Sequence, residues 1–465
     1  MKTPRLAVRN WEVALGKTPG SVTTTVRRAG AFATVGSLAL VVPLLVGGLD
    51  RPAATVAAAS PFLAVAVAGL FLLEDGVLFE LFARPGDRRD GRLYGLAGFA
   101  LAAAGLSLLS TAFGMPTAVF VASVLVVSYG NLAGHAVRAV RDEPVLATAG
   151  FVVGGSVAGV AGALLTQSIL GASLSLPLVA FLTTSGALTG ALLRTVLFER
   201  DDPIVLFTVG LLLWLFADLG IEVSATRVGV ALAVTVLLGY LSYALDTASL
   251  PGMLTGVLLG LLTIVVGDYG WFAMLITFFG VGGLASKLEY ERKAERGIAE
   301  PNDGARGSGN VLANSLVALF AVLAHGASDH LAVAPDGIFL YIFAGSVAAA
   351  MSDTLSSEIG GLFDDPRLIT TLEVVDPGTD GAVTWQGELA GLAGAFLIAG
   401  ICTAFFDVGL AGFAVVVLAG IAGMTVDSLL GATVEGGRIG NQGVNFLATV
   451  AAGLVGGAVA GVVLL

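Results

Sequence analysis

An all-α, polytopic bundle of transmembrane helices is the fold class that this 465-residue chain predicts. Three observations lead there. Hydrophobic residues make up 56% of the chain and charged residues only 12%, where soluble domains carry about 25%. Mean hydropathy is +0.93. Apolar runs of about 20 residues, the length that crosses a bilayer, recur along the whole chain, so one buried core helix does not explain the excess; about 12–15 spans fit.

The elements follow in order. Lys2, Arg5, Arg9, Lys17, Arg27 and Arg28 precede the first apolar run. That leader is too long and too charged for a signal peptide, and it predicts a cytoplasmic N-terminus on a multi-pass protein of the cell membrane. Spans are expected at 31–49, 54–73, 93–111 and 116–137, with a polar segment at 79–92. Further spans are expected at 145–168, 173–196, 203–219 and 226–243. The charged turn Glu199-Arg200-Asp201-Asp202-Pro203 and a change of texture beyond it divide the chain into an N-terminal bundle, 1–222, and a second domain, 223–465. Spans in the second domain are expected at 251–266, 269–286, 309–325, 335–357, 387–405, 409–429 and 443–464. Two long polar connections interrupt them. The 287–308 connection reads as an amphipathic or solvated helix ending near Pro301, and the 359–386 connection is rich in Asp, Pro and Gly. Connections of that length in a compact bundle are natural places for chemistry.

Composition also excludes. Glycine is abundant, 64 of 465, without a G-X-Y period, so collagen is ruled out. Runs such as Gly154, Gly155, Gly159, Gly162 and Gly453, Gly456, Gly457, Gly461 are the kind that let membrane helices pack closely. The single Cys402 leaves no internal disulfide and no multi-cysteine metal site. Net charge is −11 and no basic tract exists, so no nucleic-acid partner is expected.

Charges near the bilayer are costly and mark function. In Ser352-Asp353-Thr354-Leu355-Ser356-Ser357-Glu358, Asp353 and Ser357 stand four apart on one helical face, and Thr354 and Glu358 form the adjacent pair. Two carboxylates among hydroxyls suit a magnesium ion joined to substrate phosphates; a solvated helix end has the same composition. Pro377-Gly378-Thr379-Asp380-Gly381 is a tight turn, able to present amides and the Thr379 hydroxyl to an anion. Asn310 and Asn314 open a span on one side, with Arg306 just outside, as a phosphate site at a helix N-terminus would have them. The spacing is not that of a P-loop. Lys287 ends the preceding span, as a phosphate donor group or a marker of the membrane edge. Asp427 lies near the end of another span, and Asn441 and Asn445 open the last. Polar residues at so many span ends in one half point to a shared site.

These stretches carry a resemblance. Leu250-Pro251-Gly252-Met253-Leu254-Thr255-Gly256, Phe278 to Lys287, Gly304 to Asn314, Ser352 to Gly360, Pro377 to Gly381, Asp427 to Gly431 and Asn441 to Asn445 resemble, in the same order, the DUF92 membrane family, which includes plastid phytyl-phosphate kinases. The likeness covers about 225–465. It departs at Gly282-Gly283-Leu284-Ala285, where the family tends to have serine and threonine before the lysine. It departs again at Asn441-Gln442, where an Asn-Asp pair is common; one metal-ligating carboxylate is lost there. More distantly, Val127 to Gly134 resembles the polyprenol and dolichol kinases, with Asn131 in place of an acid, which implies an inactive copy in the first half.

The resemblance implies a membrane-embedded isoprenoid (prenyl) phosphate kinase. It would form a prenyl diphosphate from a prenyl monophosphate, using magnesium and a nucleoside triphosphate, CTP or ATP. Asp353, Glu358, Asp380 and Asp427 are the expected catalytic residues, and Asp353, Glu358 and Asp380 the magnesium ligands. Lys287, Arg306, Asn310, Asn314, Ser357, Thr379, Asn441 and Asn445 would hold the substrate and its phosphates. The partner is a membrane lipid or prenyl phosphate. The alternative reading is a transporter or lipid-translocating protein.

Overall fold

The computed structural model describes residues 19–171, 174–197, 202–299, 307–328, 337–435 and 439–464. Fourteen helices among them are long and apolar enough to cross a membrane. The chain is a multi-pass membrane protein. In chain order these helices are α1 (Thr24–Gly48), α2 (Arg51–Leu72), α3 (Tyr94–Ala112), α4 (Thr117–Val140), α5 (Pro144–Leu170), α6 (Leu176–Val196) and α7 (Ala225–Ala244). They continue with α8 (Leu250–Gly267), α9 (Tyr269–Lys287), α10 (Ser308–Gly326), α11 (Ile338–Gly360), α12 (Trp385–Phe405), α13 (Gly409–Thr433) and α14 (Asn441–Val463). The run expected to span at 203–219 forms a helix, Asp202–Asp218, of 17 residues bounded by acids, shorter than any of the fourteen. The N-terminal positives Lys2, Arg5, Arg9 and Lys17 lie outside the described residues.

Two compact units emerge: residues 1–172 with 197–211, and residues 173–196 with 212–465. In the first, α4 packs along α5 and against α1, and α2 packs on α3. The α4–α5 contact rests on missing side chains. A methyl group on Gly155 would sit 2.7 Å from the Val126 carbonyl oxygen, and one on Gly130 3.0 Å from the Phe151 ring. The polar segment after α2 folds into two short helices, Gly76–Phe82 and Pro85–Asp90. Asp87 is buried there because its carboxylate accepts from the backbone N–H of Arg84 and of Tyr94, each at 3.0 Å. Arg84 pairs with Asp202 and lies over the Phe32 ring.

In the second unit, α11 is the central helix, packed against α9, α10, α12, α13 and α14. Its middle, Ala344-Gly345-Ser346-Val347-Ala348-Ala349-Ala350, is small and fully buried. Small residues on its neighbours complete the fit. A methyl on Gly391 of α12 would lie 2.8 Å from the Ser352 carbonyl oxygen, and one on Gly456 of α14 2.5 Å from that of Tyr341. On α13, Gly423 faces Ala349. Helix starts are capped by side chains: Ser249 Oγ accepts from Gly252 N–H at α8 (3.3 Å) and Thr384 Oγ1 from Gly387 N–H at α12 (3.1 Å). The tight packing of α11 fixes the angular position of the polar residues in its last two turns.

Candidate functional site

The polar connection between α11 and α12 is ordered by its own backbone. Arg367–Leu368 pairs antiparallel with Ala382–Val383, Ile369 N–H donates to Gly381 O (3.1 Å), and Val375 N–H to Pro366 O (2.9 Å). The Thr379 hydroxyl and amide both donate to the Asp376 carbonyl, at 2.7 and 3.2 Å, closing the turn that carries Asp380. Gly381 has φ +76° and lies so close to α13 that a methyl group would be 2.5 Å from the Ser428 carbonyl oxygen and would strike Ala432 N. No other residue type meets both demands. This contact lays the turn on the end of α13.

Beneath the turn is a cavity of about 320 Å³, lined from α11 by Asp353, Ser356 and Ser357, from α13 by Asp427 and Ser428, from the turn by Thr379 and Asp380, and by Glu435 and Asn441. Asp353 and Asp427 both line it, from helices packed on each other, and neighbouring carboxylates in one cavity favour a cation between them. At Glu435, burial, then the charge of Asp380, push the carboxyl above the ordinary range, and the Asn441 amide opposes that push. Among the described lining residues there are four carboxylates and no Lys, Arg or His.

The structure thus brings Asp353, Ser357, Thr379, Asp380, Asp427 and Asn441 onto one cavity. Asn445 and Asn314 stand behind it. With the Asn445 amide oriented to pair all its atoms, its nitrogen donates to Asp427 Oδ1 (3.3 Å) and Asn441 O (3.2 Å), and its oxygen accepts from Asn314 Nδ2 (3.3 Å). Asn314 also donates to the Asn310 carbonyl (3.0 Å). Asn310 does not line the cavity, and its Oδ1 is buried without a hydrogen-bond partner. Lys287 does not reach the cavity either: its Nζ donates to the Leu245 carbonyl at 2.8 Å. Glu358 is on another face of α11, where its carboxylate meets Lys293 at 2.5 Å. Arg306 lies outside the described residues. No three His, Cys, Asp or Glu side chains among the described residues gather closely enough to enclose a metal by themselves.

Two residues escaped the sequence reading. Glu435 sits eight residues beyond Asp427, past the end of α13, on the face that already carries Asp427, Ser428 and Gly431; continuing that face beyond the last apolar residue would have found it. Lys293, expected on a solvated helix, is 1% exposed. Its neighbours Glu291, Arg292, Glu295 and Arg296 masked it. The helix itself is short, Tyr290–Glu295.

Comparison with known proteins places this second unit. A family model described as integral membrane protein DUF92 matches residues 233–453. An uncharacterised membrane protein of Methanocaldococcus jannaschii is 39% identical over 212 residues, 44% of this chain and 82% of that protein. Protein PGR of Arabidopsis thaliana is 32% identical over 225 residues, 44% of this chain and 78% of its own length. The chloroplastic protein VTE6 of the same plant is 30% identical over 192 residues, 40% of this chain and 56% of its own length. No solved structure matches the chain. With 82% of the archaeal protein's length aligned and the family model matching residues 233–453, the chain belongs to the DUF92 family of integral membrane proteins.

Proposed function

We propose that the α11–α13 cavity is the active site of a prenyl-phosphate kinase, which transfers a phosphoryl group from a nucleoside triphosphate to a prenyl monophosphate. The observation that carries this reading is a cavity at one end of an apolar helix bundle, lined by four carboxylates and by no base among its described residues. An anionic phosphate enters such a cavity only with cations. The donor set fits magnesium: the ion commonly takes one or two protein carboxylates and leaves its other positions to water and substrate phosphates. Asp353 and Asp427 would hold it, with the Ser357 hydroxyl and the Asn441 amide oxygen beside them. Held there, magnesium would supply the neutralisation of phosphate charge that phosphoryl transfer chiefly demands.

The chain's own residues do the rest. Asn445 holds Asp427 in place through its amide. The Gly378–Gly381 turn covers the pocket, anchored by Gly381 on α13. Apolar spans around α11 accept a prenyl tail while its phosphate stays at the polar end.

The deciding experiment mixes purified protein, magnesium, labelled ATP or CTP and geranylgeranyl phosphate, and separates the products by chromatography. Labelled diphosphate that disappears with Asp353→Asn is expected. No diphosphate from either nucleotide, or the same yield from the variant, would sink the reading. A second reading, a transporter or lipid-translocating protein, draws on the non-α turns that end α2 and α8, Ala68–Leu72 and Thr263–Gly267. Flux into proteoliposomes without nucleotide would favour it.

A further inference from the structure

The segment after α9 does more than connect. Lys293 Nζ donates to the carbonyls of Ala285 (3.0 Å) and Ser286 (2.9 Å), at the end of α9, and to Glu358 Oε2 (2.5 Å) on α11. Three donors meet three acceptors, so the ammonium is saturated. A buried charge pair is a costly way to hold two elements together, since apolar side chains of similar volume often do so as well; what the pair adds is a single permitted register. Three residues on, Arg296 donates to the carbonyls of Gly361 (3.2 Å) and Phe363 (3.1 Å) and to Asp364 (2.7 Å), all at the start of the connection that covers the cavity. Gly297 and Ile298 then line the cavity itself. Ile298 fills the space that side chains would take at the start of that connection and in its turn: a methyl on Gly361 would be 2.7 Å from its Cδ1, and one on Gly378 2.6 Å from its Cγ2.

We propose that Lys293 and Glu358 are positioning residues, a buried latch that docks the 288–299 segment as one wall of the cavity. Glu358 is not a cation ligand. The latch deepens the kinase reading: the phosphotransfer arm of its test rests on that reading, the Mn2+ arm on the cation site proposed with it, and the trypsin arm on neither. Latched, the wall holds Ile298 against the Pro377–Gly381 turn and shapes the pocket for the substrate's phosphate. Released, it leaves Asp353 and Asp427 in place but the pocket open.

The test uses full-length protein in detergent, as wild type, Glu358→Gln and Asp353→Asn. Trypsin cleavage after Arg296 should be at least tenfold faster in Glu358→Gln than in wild type or Asp353→Asn. Mn2+ affinity, read by electron paramagnetic resonance, should change less than threefold in Glu358→Gln and fall at least tenfold in Asp353→Asn. In the phosphotransfer assay, Glu358→Gln should raise KM for geranylgeranyl phosphate at least fivefold with kcat within threefold. Wild-type cleavage rates in Glu358→Gln, or Mn2+ binding lost there as in Asp353→Asn, would overturn the latch. Should Glu358→Gln fail to fold because Lys293 is stranded, Lys293→Ala with Glu358→Ala removes both charges and the side-chain volume that could pack in their place. The same acceleration after Arg296 is then expected, and its absence counts against the latch. If no protein transfers phosphate, the kinase reading fails while the trypsin arm still decides this one.

Discussion

The α4–α5 pair of the first unit and the α11–α14 group of the second are packed by the same device and do different things. Both use glycine and alanine to bring helices close. In α4 the buried polar groups are hydroxyls, and each is satisfied within its own helix: Ser123 and Ser128 donate to the carbonyls four residues back, both at 2.7 Å. A carboxylate has no such option. It has nothing to donate when ionised, and the helix amides are already taken. Asp353 on α11 and Asp427 on α13 must therefore be served from outside their helices, and the cavity stands where they meet. The difference between a sealed bundle and a site is one of side-chain chemistry on a common scaffold.

The widest separation between the units should come from that chemistry. Asp427→Asn keeps the shape and removes a charge, and about a 100-fold loss of phosphotransfer is expected, worth about 2.7 kcal/mol at the transition state. Asn131→Ala, on α4, should leave the rate within about twofold, as expected of a half-buried position in the unit that carries none of the cavity's lining residues. Equal losses from both would erase the contrast. Gly381→Ala comes next. Its φ of +76° and its contact with α13 make any side chain strained. A cost of about 1–3 kcal/mol is expected for holding alanine there, visible as faster proteolysis of the 361–384 connection and a lower rate. Unchanged proteolysis would mean that the turn does not depend on that contact.

How far the sequence discloses this arrangement depends on the kind of evidence each feature leaves. Span existence is legible because a bilayer demands long apolar runs, and fourteen helices meet the demand. Asp353, Ser357 and Asp427 are legible because polar groups amid apolar ones are conspicuous. Helix ends are less so: α11 runs through Gly360, about two turns past Asp353, so the acid belongs to the span and not to its frayed end. Lys287 and Glu358 show the limit. Both look like ligands in a linear reading, yet one caps the Leu245 carbonyl and the other pairs with Lys293. A charge's partner is set by three-dimensional neighbours far along the chain, and no local pattern encodes the 65-residue separation between Lys293 and Glu358.

Two smaller effects sharpen the comparison. Asn445→Ala removes the amide that steadies Asp427, and supporting groups of this kind are worth about tenfold or more in activity; the rate should fall with no change in proteolysis of the turn. Loss of fold instead would make Asn445 a packing residue. Gly155→Ala, in the first unit, places a methyl 2.7 Å from a backbone oxygen. Overpacking of that kind costs about 1–3 kcal/mol of stability, while phosphotransfer per folded molecule should hold within about twofold, since the change lies in the unit that carries none of the cavity's lining residues.

The smallest effect lies in pH. In the first unit Asp90 is held below the ordinary carboxylate range, mainly by its hydrogen bond from Arg89, but both groups are fully exposed and little stability follows. Glu435 is the opposite case, raised by burial and by the charge of Asp380. Between its ordinary and its raised value, the folded protein keeps a proton that the unfolded chain has released. Stability therefore falls as pH rises through that window. Glu435→Gln is neutral throughout and escapes the loss, so its advantage over wild type in thermal midpoint should be absent below the ordinary carboxylate range and grow as pH rises above it. Parallel curves would show that neither burial nor Asp380 raises Glu435. Magnesium supplies the discriminating control: a cation held in the cavity offsets the Asp380 charge and favours the ionised Glu435, so the variant's advantage should shrink when the ion is added. Arg89 and Asp90, which belong to the first unit and do not line that cavity, should give the same curve with and without it.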